Sequence, residues 1–304
     1  MNFKWKKLGL LLEPRNDIPW MISHTGSSYV LHKKDNLFNI YLTGRDAKNR
    51  SSIGSALFEL SSQPKIIEIK KEPILSRGEF GTFDENGVSY PSLVKLKGLI
   101  YLYYTGWVPT RIVPFQNQLG LAIINNNKVE RFSKAPILER NSDDYISIGG
   151  AFVLKEGENW KMWYTSFLKW EKLKNNKFKH RYLIKYATSK NGIHWLRKNK
   201  IAINFINSQE YAICRPSVIK INNSYHMFYC IKGEKYKLGY ASSFDGSKWT
   251  REDSKVGISL SENGWDSEEM CYPHIFKHKN KIYLIYAGNN YGDSGIGIAE
   301  MEIK

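Results

Sequence analysis

The sequence predicts an all-β chain folded as a five-bladed β-propeller in a single domain. Two observations predict it: a two-strand unit that recurs along the whole chain, and the near absence of helical periodicity. Five stretches align, "SSYVLHKKDNLFNIYLTGRD" from Ser27, "YPSLVKLKGLIYLYYTGW" from Tyr90, "GAFVLKEGENWKMWYTSF" from Gly150, "RPSVIKINNSYHMFYCIKG" from Arg215 and "YPHIFKHKNKIYLIYAGN" from Tyr272. Each reads as an apolar strand, a short polar turn and an aromatic-rich second strand. A third strand follows in every unit, beginning near Ile53, Leu119, Ile184, Lys237 and Gly295. In "SKNGIHW" and "SFDGSKW" an Asn-Gly or Asp-Gly pair marks a tight turn, so a fourth, edge strand is expected. The period of about sixty residues places the blades near 20–60, 80–125, 143–198, 208–252 and 264–304. A pair of β-sandwiches accommodates five matching units poorly.

Composition agrees with a large packed domain. Of the 304 residues 42% are apolar and 14% aromatic, enough for a continuous core. The net charge is +16, but the lysines are scattered rather than blocked, which predicts a solvated basic surface and no nucleic-acid partner. Cys214, Cys230 and Cys271 are odd in number and lack ligand spacing, so neither a disulfide framework nor a metal site is expected. No motif calls for an organic cofactor. The apolar run "LGLLL" near the N-terminus is short for a signal-peptide core, and no run approaches the length of a membrane span. The expected location is the cytoplasm, with no membrane partner.

In a propeller the first strand of each blade lines the central channel, so residues at the strand entries are the ones that meet a ligand. Ordered by blade, these are Ser23-His24-Thr25, then Asp84-Glu85-Asn86 with Tyr90, Asp143-Asp144 with Ser147, Glu210 with Arg215, and Asp266, Glu268, Glu269, Tyr272 and His274. Asp84, Asp144 and Asp266 share one register, six residues before the aligned entry position, where an Asx turn and a channel carboxylate are both possible readings. Trp107, at the end of its strand beside Gly106, is placed to stack on a sugar ring. The basic insertion "LKWEKLKNNKFKHRY" reads as an exposed hairpin in the third blade.

The second strands "YLYYTG", "KMWYTS" and "YLIYAG" and the turn "YATSKNGIHW" resemble those of the arabinanase, invertase and levansucrase type of glycosidase propeller, and more loosely the mannoside phosphorylases. The stretches "PWMISH", "GRDAKNRSSIG", "GTFDENGVSYPS", "VPFQNQLGLA", "EYAICRPSVIK", "GWDSEEMCYP" and "GNNYG" are similar to an uncharacterised glycosidase-like group associated with bacterial surface-polysaccharide gene sets. That resemblance implies catalytic carboxylates at the entries of the first, third and fourth blades. Here the aligned positions are Ser27, Gly150 and Cys214.

Three readings follow from the departure. In the first, Asp84 and Glu268, with Asp46 or Glu210 as substitutes, supply the acid and base that glycoside hydrolysis needs. In the second, Arg45, Arg50 and Arg215 with His24 and His274 form an anion pocket for a sugar phosphate or nucleotide sugar; Tyr90, Trp107, Asp266 and Tyr272 are further candidate substrate contacts. In the third, the channel binds a glycan or nucleotide sugar without cleaving it. The expected activity is hydrolysis or transfer of a glycosyl group on a small sugar.

Overall fold

The computed structural model describes residues 3–126, 128–175 and 177–302; the last two residues of the fifth expected unit lie outside these. Apart from a four-residue helical turn at Asn289–Gly292 and two 3-10 turns, its regular structure is strand.

Strands β2 (Ser23–Lys34), β3 (Leu37–Arg45), β4 (Ser51–Glu59) and β5 (Lys65–Ile69) pair in succession as an antiparallel meander. The same order recurs in β6 (Gly87–Leu96), β7 (Leu99–Pro109), β8 (Phe115–Asn125) and β9 (Lys128–Arg131). It recurs again in β10 (Ile148–Glu156), β11 (Asn159–Lys172), β12 (Phe178–Ser189) and β13 (Leu196–Ile203). A further copy is β14 (Ala212–Ile221), β15 (Ser224–Lys232), β16 (Tyr236–Ser243) and β17 (Thr250–Arg251). In the last meander β18 (Cys271–His278), β19 (Lys281–Ala287) and β20 (Ile296–Met301) take the N-terminal strand β1 (Trp5–Leu12) as their fourth member. The first strands touch in order, β2 with β6, β10, β14 and β18, and β18 returns to β2. The chain therefore closes on itself through a strand from its own beginning.

Both faces of the middle strands are covered by neighbouring meanders, which is why they read as continuous aromatic and β-branched runs rather than as alternating ones. Tyr103, Tyr104, Trp163, Tyr229 and Tyr286 are all fully buried. Such side chains need partners for their polar tips. Trp163 Nε1 donates to the Gly246 carbonyl at 2.8 Å, tying one meander to the turn of the next.

A polar lock repeats at the edge of these cores. The hydroxyls of Tyr104, Tyr164 and Tyr286 donate to Asp84, Asp144 and Asp266 at 3.0, 2.9 and 2.9 Å, each pair twenty residues apart. A cation from the fourth strand completes each lock: Arg131 on β9 at 2.8 Å, Arg197 on β13 at 3.1 Å and Lys7 on β1 at 2.6 Å. In the remaining meander of this kind Tyr229 donates to Asp253, and Arg251 on β17 bridges Asp253 and Glu210.

Candidate functional site

Each first strand carries the same irregularity near its start. Between Gly26 and Tyr29, Ser89 and Ser92, Gly149 and Phe152, Cys214 and Ser217, and Cys271 and His274, the inner strand advances three residues while its partner advances two. One residue per bulge adopts a left-handed conformation: Ser27 (φ 48°), Tyr90 (φ 60°), Gly150 (φ 53°), Arg215 (φ 54°) and Tyr272 (φ 53°). Non-glycine residues rarely adopt this conformation, and bulges that re-aim a side chain concentrate at functional sites. All five residues line one cavity, formed by two contiguous lobes of about 340 and 310 Å³.

The lobes share His24, Arg45, Tyr90, Phe115, Asn117, Tyr272 and Tyr291. Trp107 belongs to the first lobe and Arg215, His180, Lys232 and Cys214 to the second. No Asp or Glu lines either lobe among the described residues. The cavity is thus cationic and aromatic.

Arg215 dominates its electrostatics. It is 5% exposed, its guanidinium carbon sits 4.8 Å from the centroid of Tyr90, and its Nε is buried with no hydrogen-bond partner among the described residues. Burial lowers its pKa, and the groups that act against this are Tyr90, Cys230, Cys214 and Tyr272, not a carboxylate. Lys232, also buried, contacts the Tyr291 hydroxyl and lies 4.4 Å over the Tyr236 ring. Arg45, which lines both lobes, donates to Asn49 Oδ1 at 2.9 Å. His24 (φ 59°) has its Nδ1 buried without a hydrogen bond and 3.9 Å from Asp293 Oδ1. Trp107 is held by a 2.7 Å bond from its Nε1 to Ser51 Oγ.

Of the expected anion pocket the structure brings His24, Arg45 and Arg215 to one cavity, and the expected substrate contacts Tyr90, Trp107 and Tyr272 line it too. It places the other expected residues elsewhere. Asp84 is 1% exposed, accepting from Tyr104, Thr82 and Arg131 in its lock. Asp266 is held in the same way by Lys7 and Tyr286, and Glu210 accepts two 2.9 Å bonds from Arg251. Asp46 and Arg50 pair at 2.7 Å across a tight turn and line a separate depression with Trp20. Glu268 is exposed and bridges Lys235 at 3.0 Å. His274 is buried and accepts the Val30 N–H at 3.1 Å through Nε2, joining β18 to β2. Asp84, Asp266 and Glu210 hold loops to strands, Asp46 closes its own turn and Glu268 pairs loop to loop, and none of them lines the cavity.

Several lining residues lie in or beside the quoted stretches but away from the strand entries, so the sequence did not single them out as ligand contacts. Phe115 and Asn117 open a third strand, Lys232 ends a second strand and Tyr236 starts a third, while Thr165 and Tyr182 lie within β11 and β12. Tyr291, within the quoted "GNNYG", reaches both lobes because Asn290 and Tyr291 turn left-handed at φ 51° and 62°.

No family model matches the chain. Among solved structures, a glycoside hydrolase superposes over 100% of this chain and 93% of its own, with a TM-score of 0.75 at 17% identity. The β-1,2-mannobiose phosphorylase of Listeria innocua, solved with β-1,2-mannobiose, covers 100% of this chain and 97% of its own, with a TM-score of 0.72 at 11% identity. The fold is accordingly that of the glycosidase-like β-propellers. Within that class the chain belongs to the family of the uncharacterized protein Rv1502 of Mycobacterium tuberculosis, with 36% identity over 299 residues, 98% of this chain and 99% of that one.

Proposed function

We propose that the chain is a single-domain, five-bladed propeller of the cytoplasm that acts on a small sugar bearing a phosphate, a sugar phosphate or nucleotide sugar. Arg215 carries the reading. A buried guanidinium with no carboxylate beside it is costly, and such a group persists where a ligand supplies the counter-charge. The planar fork of donors on a guanidinium fits phosphate bidentately, and Arg45 lines the same cavity with a second one. Tyr90, Trp107 and Tyr272 offer the apolar faces a sugar ring needs. The sugar in the mannobiose phosphorylase complex supports the carbohydrate half of the reading.

Ordinary hydrolysis by two opposed carboxylates is disfavoured, because no Asp or Glu among the described residues lines the cavity. The proposed reaction is instead a glycosyl transfer in which phosphate is one of the exchanging groups. Thermal unfolding against mannose 1-phosphate, glucose 1-phosphate and UDP-glucose, each beside its free sugar, tests the reading. A ligand of the native state raises the melting temperature by mass action. The expected result is a rise with a phosphorylated sugar that Arg215→Met abolishes. Equal responses from the free sugars, or from the variant, contradict it.

The same absence of lining carboxylates favours a second reading, binding without turnover. Quantitative recovery of a bound sugar phosphate after prolonged incubation with the protein supports it, and release of inorganic phosphate rules it out.

A further inference from the structure

The geometry points to His24, backed by Asp293, as the proton carrier of this cavity. The inference rests on the reading that a phosphorylated sugar binds beside Arg215.

Cleaving a glycoside with a poor leaving group calls for an acid and a base or nucleophile. A glycosyl phosphate has a leaving group that departs as an anion, so the acid is dispensable and one base suffices. The cavity offers that combination. Arg215 stands ready for the departing phosphate, and His24 lines the same lobe. His24 sits on β2 at a left-handed position and reaches both lobes. Its Nδ1 faces Asp293 Oδ1 at 3.9 Å and has no other partner, an arrangement that closes to a hydrogen bond with a small movement. A proton fixed on Nδ1 leaves Nε2 as the basic nitrogen.

The step balances as follows. An acceptor O–H, from water or a sugar hydroxyl, loses its proton to Nε2 of neutral His24 as its oxygen bonds the anomeric carbon. The bond from that carbon to the phosphate oxygen breaks, and its electron pair leaves with the phosphate, held by Arg215. Asp293 faces the imidazolium that forms. Burial and the nearby Arg45 lower the His24 pKa while Asp293 raises it, which favours the neutral base. Arg215 and Lys232 are the other cations of that lobe.

Side-chain NMR of 15N-histidine protein follows the His24 titration directly, with inorganic sulfate as a dianion that does not itself titrate in this range. Sulfate is expected to raise the His24 pKa by about one unit, and Asp293→Asn to lower it. Arg215→Met is expected to remove the sulfate response. On a phosphorylated sugar that the protein turns over, His24→Gln is expected to lower kcat by about 10²- to 10⁴-fold with little change in KM. If sulfate binds through Arg215 but His24 answers neither sulfate nor Asp293→Asn, the proton-carrier role falls and the phosphate reading stands. If neither sulfate nor any phosphorylated sugar perturbs the protein, both fall.

Discussion

The Cδ atom of Arg215 lies 3.3 Å from the point where a Cβ on Gly150 would stand. Gly150 occupies the left-handed bulge of β10, one of the positions where the glycosidase resemblance implies a carboxylate. An aspartate there is strained by the left-handed backbone, though less than most residues, and needs Thr165 and Arg215 to give by a few tenths of an ångström. It would pair with Arg215 and take the place of an anionic ligand. Gly150→Asp is therefore expected to weaken binding of a sugar phosphate by about tenfold or more, measured by calorimetry. Unchanged affinity would show that Arg215 is not the anion's partner.

The lock carboxylates make a contrasting prediction. Asp84→Asn leaves Arg131 and Tyr104 without the charge they converge on. Unfolding by urea should show a loss of about 3 kcal/mol, as for other broken buried pairs, with ligand affinity unchanged. A variant of full stability that has lost turnover would return Asp84 to the reaction.

His274 links pH to stability. Burial and then Arg215 push its pKa down to about 3, from an ordinary value of 6.5. Burial and Lys232 push His180 down to about 4. Between those values and 6.5 the unfolded chain holds protons that the native protein lacks. Stability is thus complete above about pH 6.5 and falls as pH drops, by up to about 1.4 kcal/mol per pH unit for each group. His274→Gln should make the slope of unfolding free energy between pH 4 and 6 shallower. Identical slopes in variant and parent would contradict the assignment.

The repeat was legible because it is local. Strand, turn and strand recur within about twenty residues, and aromatic runs betray strands buried on both faces. Three of the bulge residues, Tyr90, Arg215 and Tyr272, precede a proline that marks the strand entry, but their left-handed φ is not the extended conformation a following proline favours, so the bulge itself was not legible. The placement of Asp84, Glu210 and Asp266 away from the cavity was not legible because their partners are distant in sequence. Asp84 meets Arg131 forty-seven residues on, and Asp266 meets Lys7 from the other end of the chain. A buried structural aspartate and a channel aspartate look the same until those partners are placed. Lys232 and Tyr291 came to the cavity through the ring closure of separate meanders, which no local pattern encodes.

The central claim is that Arg215 is kept buried and unpaired for an anionic sugar. Thermal unfolding of Arg215→Met, with and without the sugar phosphate that stabilises the parent, tests it most directly. Replacing an uncompensated buried charge with an apolar side chain of similar length should leave the free protein as stable or more so, by about 1–4 kcal/mol, and abolish the ligand-induced rise in melting temperature. A variant that is destabilised when free and still stabilised by the ligand would show that Arg215 serves the fold and not the ligand.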